Sequence, residues 1–362
     1  MRGPLLGACA LLAALASLSL PSRAATQVNI AQLEQFLAAE NSVQASDNAI
    51  AQRLASAELT ERLTRVQLAR IKARFHPGSE TILVLDALAD LSEFRNPPAD
   101  GIPHQKSPST AEQQKMIQSA ERFAIKTLSH LPDYLATETT RRFQDIPVLT
   151  RDASAQSGLY STGTTVREVS YRNGREVSAN TLPSHTEPAA GRMESLGQFG
   201  PVLATIMMDS AHGAIRWDHW ERTAAGLLAV FSYKVPQEAS HYRVDFCCTA
   251  TPADDGDGSY HGTPAYHGTL SIDPATGAIL RVTLEAEFPQ FDPQPQVKLL
   301  IEYQKVEVSG GSLICPVRSV AISNGYTFAQ SRYWNNFYLN EITYTHFHRF
   351  GSTVHILENK TH

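Results

Sequence analysis

Two spacings of apolar residues divide the chain. From Gln27 to about residue 97 they recur three and four positions apart: Ile30, Leu33, Phe36 and Leu37; Ile50, Ala51 and Leu54; Leu63, Leu68, Ile71 and Phe75; Ile82, Leu85, Leu88, Ala89 and Leu91. That is the period of amphipathic helices, which must pack on one another or on something else. Asp47 reads as the cap of the second helix, and His76-Pro77-Gly78 as the stop of the third. Residues 96–109 (NPPADGIPHQKSPS) carry neither spacing and read as a linker. Thr110–His130 returns to the helical period with Met116, Ala120, Phe123 and Leu128, and Leu131-Pro132 ends it.

Beyond residue 134 the period falls to two. Tyr134–Phe143 is extended and threonine-rich. Asn173-Gly174 marks a two-residue hairpin turn. Gly197–Met208 reads as a short helix or lid. Ala214–Thr223 reads as a strand with Ile215, Trp217 and His219 on one side. HYRVDFCC (241–248) alternates Tyr242, Val244, Phe246 and Cys248 with polar residues, the mark of a strand with one buried face. GTLSID-PATG-AILRVTLEAEF (268–288) is two strands joined by a tight turn. Further strands follow at 297–308, 312–323 and 340–355. The fold class expected is α+β: one large antiparallel sheet, curved or closed, preceded by a small helical region. The expected organisation is residues 1–24, 25–97, a linker at 98–109, and a sheet domain at 110–362.

Composition narrows the function classes. Apolar residues make up 42% and charged residues 19% of 362, an ordinary globular balance. The net charge of −5, with no lysine-arginine run, argues against a nucleic-acid partner. Met1-Arg2, an apolar run from Leu5 to Leu20 and then PSRAA have the form of a secretory signal with cleavage after Ala24. An exported chain, periplasmic or secreted, with no membrane-spanning segment after cleavage is expected. Export permits disulfides. Cys247, Cys248 and Cys315 would remain; a Cys248–Cys315 bridge stays open beside the plainer reading of small buried side chains.

Chemistry-bearing patterns are sparse. G-x-S-x-G, H-E-x-x-H, phosphate-loop and dinucleotide signatures are absent. His346 and His348 share a strand face and His261 and His267 flank a loop, but nothing places a third metal ligand. Asp254–Gly258 lacks the oxygen spacing of a calcium loop. Glu285 and Glu287 belong to a solvated outer face. No catalytic residue, metal or cofactor is expected.

The helix followed by LPDYLATETTRRF, the hairpin, SLGQFGPVLATIM, GTLSIDPATGAILRVTLEAE, VEVSGGSLICPVRS and NEITYTHFHRF together resemble the LolA/LolB-like superfamily of exported bacterial proteins over roughly residues 110–358. The resemblance implies an incomplete antiparallel barrel of about eleven strands with helices over its apolar face. It also implies a non-enzymatic carrier of a lipid or a lipoprotein acyl chain. The extra helices at 27–97 depart from that pattern. Alternation within the expected barrel nominates Trp217, Phe231, Tyr233, Tyr242, Val244, Phe246, Leu270, Ile272, Leu284 and Tyr344 as lining residues. The alternative is an envelope module with a filled barrel that meets a protein partner through its N-terminal helices.

Overall fold

The computed structural model describes residues 26–130, 134–145, 159–172, 175–178, 193, 198, 200–211, 213–246, 260–291, 294–308, 311–329 and 332–349. The signal-like segment, Asn173-Gly174, Cys247, Cys248 and the Asp254–Gly258 loop lie outside them.

Four helices and two short strands come first: β1 (Thr26–Val28), α1 (Ile30–Ser42), α2 (Asp47–Leu54), β2 (Ala57–Leu59), α3 (Arg65–Phe75) and α4 (Ser79–Ser92). Asn29 and Thr64 close capping boxes on α1 and α3 with Gln32 and Gln67. Asp47 does not cap its own helix. Ser46 does that, and Asp47 reaches across to accept the backbone N–H groups of Glu80 and Thr81 at the start of α4. His76 ends α3 in the left-handed conformation, just before Pro77-Gly78. The predicted apolar stripes meet in one cluster that includes Leu33, Leu37, Leu54, Leu63, Ile71, Leu85 and Leu88.

α5 (Thr110–His130) starts at a Ser109/Glu112 capping box. After it come β3 (Tyr134–Asp145), β4 (Tyr160–Arg172), β5 (Arg175–Ser178), α6 (Pro201–Ser210), β6 (Ala214–Thr223), β7 (Gly226–Val235), β8 (Val244–Phe246), β9 (Tyr260–Gly262), β10 (Ala265–Ile272), β11 (Ile279–Glu287), β12 (Gln296–Val308), β13 (Gly311–Ala329) and β14 (Arg332–Arg349). Ten of these strands form one sheet in the order β5-β4-β3-β14-β13-β12-β11-β10-β7-β6. Every pairing in it is antiparallel, and its two end strands do not meet. The architecture is an α+β incomplete antiparallel barrel.

The segment 241–248 departs from its sequence pattern. Only Val244–Phe246 is extended among its described residues, and it pairs with β9 in a separate two-stranded sheet. β10 takes the place beside β7 instead. The reason is local. Pro236 and a 3-10 turn at Gln237–Ala239 break the chain after β7, and the backbone N–H of His241 donates to the Asp209 carboxylate of α6 rather than to a strand. Alternation reports a buried face, not a partner.

The sheet has an inner face under α5 and α6 and an outer face under α4. On the inner face Phe231, Leu270, Ile272, Leu284, Leu299 and Ile301 pack against Ala120 and Ala124 of α5 and Val202, Leu203 and Ile206 of α6. Gly277, in the turn between β10 and β11, has φ +77, and a Cβ there would lie 2.7 Å from the Ser119 backbone, so α5 rests directly on this turn. On the outer face Ala87, Leu83, Leu91 and Phe94 meet Phe143, Leu300, Val320, Ile322 and Leu339.

Candidate functional site

The outer face also carries a ladder of alternating charge. Arg141 stands opposite Glu341, Glu302 opposite Arg318, and Arg281 opposite Glu302, on neighbouring strands. α4 and its end lay Asp86, Asp90 and Glu93 across it, at spacings that share one helix face. Arg318 lies 2.6 Å from Asp90, 2.9 Å from Glu93 and 3.0 Å from Glu302. Arg65 reaches Asp90 at 2.5 Å and Glu341 at 2.8 Å, and Arg141 joins Asp86 to Glu341. Arg62 pairs with Glu221 of β6. Burial pushes the Asp90 carboxyl up, to about 6, against the pull of Arg318. Glu93 is also buried, yet Arg318 and Arg281 hold it below its ordinary value. Glu221 is held down at about 2 by His219 and Arg62 in spite of burial.

A β-bulge sets the edge of the sheet. Trp217 pairs with Phe231 and His219 with Val230, so Asp218 is the extra residue. The bulge turns His219 and Glu221 to the outer face with Arg216. Trp217 and Trp220 share the inner face, their rings 5.0 Å apart. The simple alternation that put His219 beside Trp217 is corrected by this one residue. Burial lowers the His219 pKa, but Glu221 and Asp218 more than offset it, and His219 stays above its ordinary value.

On the inner face the ten nominated lining residues fall into three groups. Phe231, Tyr233, Leu270, Ile272 and Leu284 are buried in the cluster beneath α5 and α6; Trp217 and Tyr242 pack at its margin. Val244 and Phe246 belong to the small β8–β9 sheet, where Phe246 stacks on Tyr260 with centroids 5.2 Å apart and also meets Phe288 and Phe291. Tyr344 lies farther along the sheet with Tyr134, Tyr171 and Ile342. The Tyr233 hydroxyl crosses Gly268 to donate to the Thr283 carbonyl at 2.8 Å. Gly268 leaves room for this: a Cβ there would meet that hydroxyl at 2.8 Å and the Thr283 oxygen at 1.9 Å.

α6 is fastened by a carboxylate the sequence pattern did not single out. Asp209 is buried; it accepts the Tyr266 hydroxyl at 2.8 Å and the backbone N–H of His241 at 2.8 Å, and contacts the exposed His241 ring through Nδ1 at 2.6 Å. Burial and Asp209 push the Tyr266 hydroxyl well above the ordinary range. Cys315 is a free, buried thiol pushed up to about 12 by burial.

Two cavities stand out. One of about 370 Å3 adjoins Arg142, Thr165, Met193 and Asn340. The larger, about 540 Å3, lies between the end of α4 and the outer face of β6, β7, β10 and β11; of the ten nominated residues only Tyr233 borders it. Among the described residues no group of three or more His, Cys, Asp or Glu could hold a metal, and no helix is long and apolar enough to cross a membrane.

No family model and no curated protein matches the chain. Two solved structures are similar to it. A DUF1329 family protein from Desulfovibrio piger matches at 7% identity and a TM-score of 0.30, over 66% of this chain and 95% of that one. A LolA superfamily protein from Nitrosomonas europaea matches at 8% identity and a TM-score of 0.27, over 67% of this chain and 94% of that one. The likeness is distant and concerns the fold alone.

Proposed function

We propose that this chain is an exported, non-enzymatic binding protein of the cell envelope that takes a hydrophobic ligand, a lipid or lipoprotein acyl chain, onto the inner face with α5 as its lid. One observation supports the reading. The continuous apolar face from β7 to β12 is roofed by α6 and by a helix whose two fully buried apolar side chains, among the described residues, are alanines, Ala120 and Ala124. Met116 and Ile117 are only partly buried beside them. A stretch of helix that buries such small side chains loses little contact when it lifts, and an acyl chain would restore apolar contact to Phe231, Leu270, Ile272 and Leu284. Residues 102–109, which precede α5 without regular structure, would act as its hinge.

A second reading is favoured by the packing itself. The inner face is filled by its own side chains, which suits a rigid module that meets an envelope protein partner through the N-terminal helices.

Native mass spectrometry of the protein isolated from a bacterial periplasm, with lipid extraction, separates the two. The first reading expects an acyl-containing adduct lost on denaturation, and uptake of added palmitate that speeds amide exchange in α5. A clean apo mass, with no uptake of palmitate or of a triacylated lipopeptide, overturns it and favours the filled module.

A further inference from the structure

The cavity of about 540 Å3 on the outer face is within the roughly 300–1,000 Å3 range of small-molecule sites, and it sits where such sites concentrate, at a junction between packed units. Its floor includes Ser232, Thr269 and Thr283; Phe94 forms part of one wall. Five cationic and five carboxylate side chains line it, so it holds no net charge when its histidines are neutral.

Most of these charges are fixed by a neighbour and several keep unengaged hydrogen-bonding atoms, while Arg216 has no ion pair among the described residues. Arg62, only 5% exposed in its side chain, engages Glu221 through Nη2. Arg281 likewise uses Nη2 for both the carbonyl and the carboxylate of Glu93. Among the described residues the Nε and Nη1 donors of both guanidiniums have no hydrogen-bond partner. On the opposite side Lys234 and His267 both contact Oε1 of Glu287, leaving Oε2 as an acceptor, and Lys298 contacts Oε2 of Glu285, leaving Oε1. Among the described residues the Ser232 hydroxyl has no hydrogen bond.

Fixed, unengaged donors beside fixed, unengaged acceptors suit hydroxyl groups, each of which donates once and accepts twice. An ion fits worse: beside most of the opposite charges, Arg216 excepted, it would meet one of its own sign held there in an ion pair. We propose that this cleft is a binding site for an uncharged polyhydroxylated molecule, a saccharide. The cleft faces away from α5 and α6, so this site stands or falls independently of acyl binding on the inner face.

The test is saturation-transfer NMR and calorimetry on the full chain. Glucose, galactose, N-acetylglucosamine and maltotriose serve as neutral probes, with inorganic phosphate, citrate and spermidine as charged ones. At least one sugar is expected to bind. Ser232→Phe, which fills the floor, should weaken it tenfold or more with the melting temperature retained. Arg216→Leu, at the exposed mouth, gives an independent variant and should weaken it a few-fold. Failure of every sugar to bind overturns the proposal. So does binding of phosphate, citrate or spermidine that outcompetes the sugars, or sugar binding unchanged in both variants.

Discussion

Arg318→Leu tests whether the charge ladder holds α4 to the sheet. The Arg318 side chain is 8% exposed and lies within 3.0 Å of three carboxylates, with Glu341 at 3.5 Å. Removing one partner of a buried ion pair costs about 3–5 kcal/mol, because the other charge remains desolvated. Here Arg65 still reaches Asp90 and Arg281 still reaches Glu93, which places the expected loss at the low end, about 3 kcal/mol. At ~2–4 °C per kcal/mol that is a fall in melting midpoint of roughly 6–12 °C. The loss should also depend on pH. Asp90 already has its folded pKa raised to about 6, so its protonated form favours the folded state and that contribution is lost as pH rises from about 4 through 6. Without the Arg318 guanidinium, Asp90 shifts up further and Glu93 rises from its lowered value, each tenfold change in proton affinity being worth about 1.4 kcal/mol. Urea unfolding at pH 5 and pH 8 should therefore show the larger deficit at pH 8. A deficit below about 1 kcal/mol, or one equal at both pH values, would refute the idea that this interface is held by its charges.

Three further outcomes are expected. Gly277→Ala combines a strained φ with a clash against the Ser119 backbone; it should cost about 1–3 kcal/mol and speed amide exchange in α5, and unchanged α5 protection would show that the turn does not seat the helix. His219 has its folded pKa raised, so its contribution is complete below the unfolded value near 6.5 and is lost as pH rises through the folded one; stability should fall across that window, His219→Gln should flatten the slope, and an identical slope in the variant sinks the assignment. Cys315, buried and pushed up to about 12, should resist a thiol reagent at pH 8 until the chain unfolds, and rapid labelling of the folded protein at this residue would contradict its placement.

How legible all this was in the sequence depended on whether the deciding interaction is local. Thr110–His130 could be bounded from sequence because a proline-rich segment precedes it and Leu131-Pro132 follows it. The turn at Asp273–Gly277 was equally plain, since Asp273 accepts from Ala275 and Thr276 within the turn itself. HYRVDFCC is a strand at Val244–Phe246 but stands outside the large sheet, which its own residues do not show, because the approach to it rests on Asp209, 32 residues upstream of His241. Asp218 gave no sign of being a bulge, and that one extra residue decides which face His219 occupies. The ladder left a fainter trace. Asp86, Asp90 and Glu93, the residue just past its end, share one face of the largely apolar helix α4, and Arg318 and Glu341 sit among apolar strand residues. Read one element at a time, each looks like solvated charge; only the pairing of α4 with β13 and β14 shows they neutralise one another.

The place of β14 in the strand order governs how the chain can assemble. The strands from β6 to β13 pair largely with sequence neighbours and form one meander, while β3, β4 and β5 form a second. Among the described strands β14 alone joins them, lying between β13 and β3. Until the last described strand arrives there are two half-sheets with open edges, and α4, although its own helical cluster can form early, has no complete ladder to cover. Arg318 and Asp90 are 228 residues apart, so the contact that fastens α4 has one of the longest sequence separations in the molecule and a correspondingly large loop-closure cost. A chain that stalls before residue 332 would present two unpaired inner edges, β3 and β13, which are the surfaces most prone to pairing with another copy.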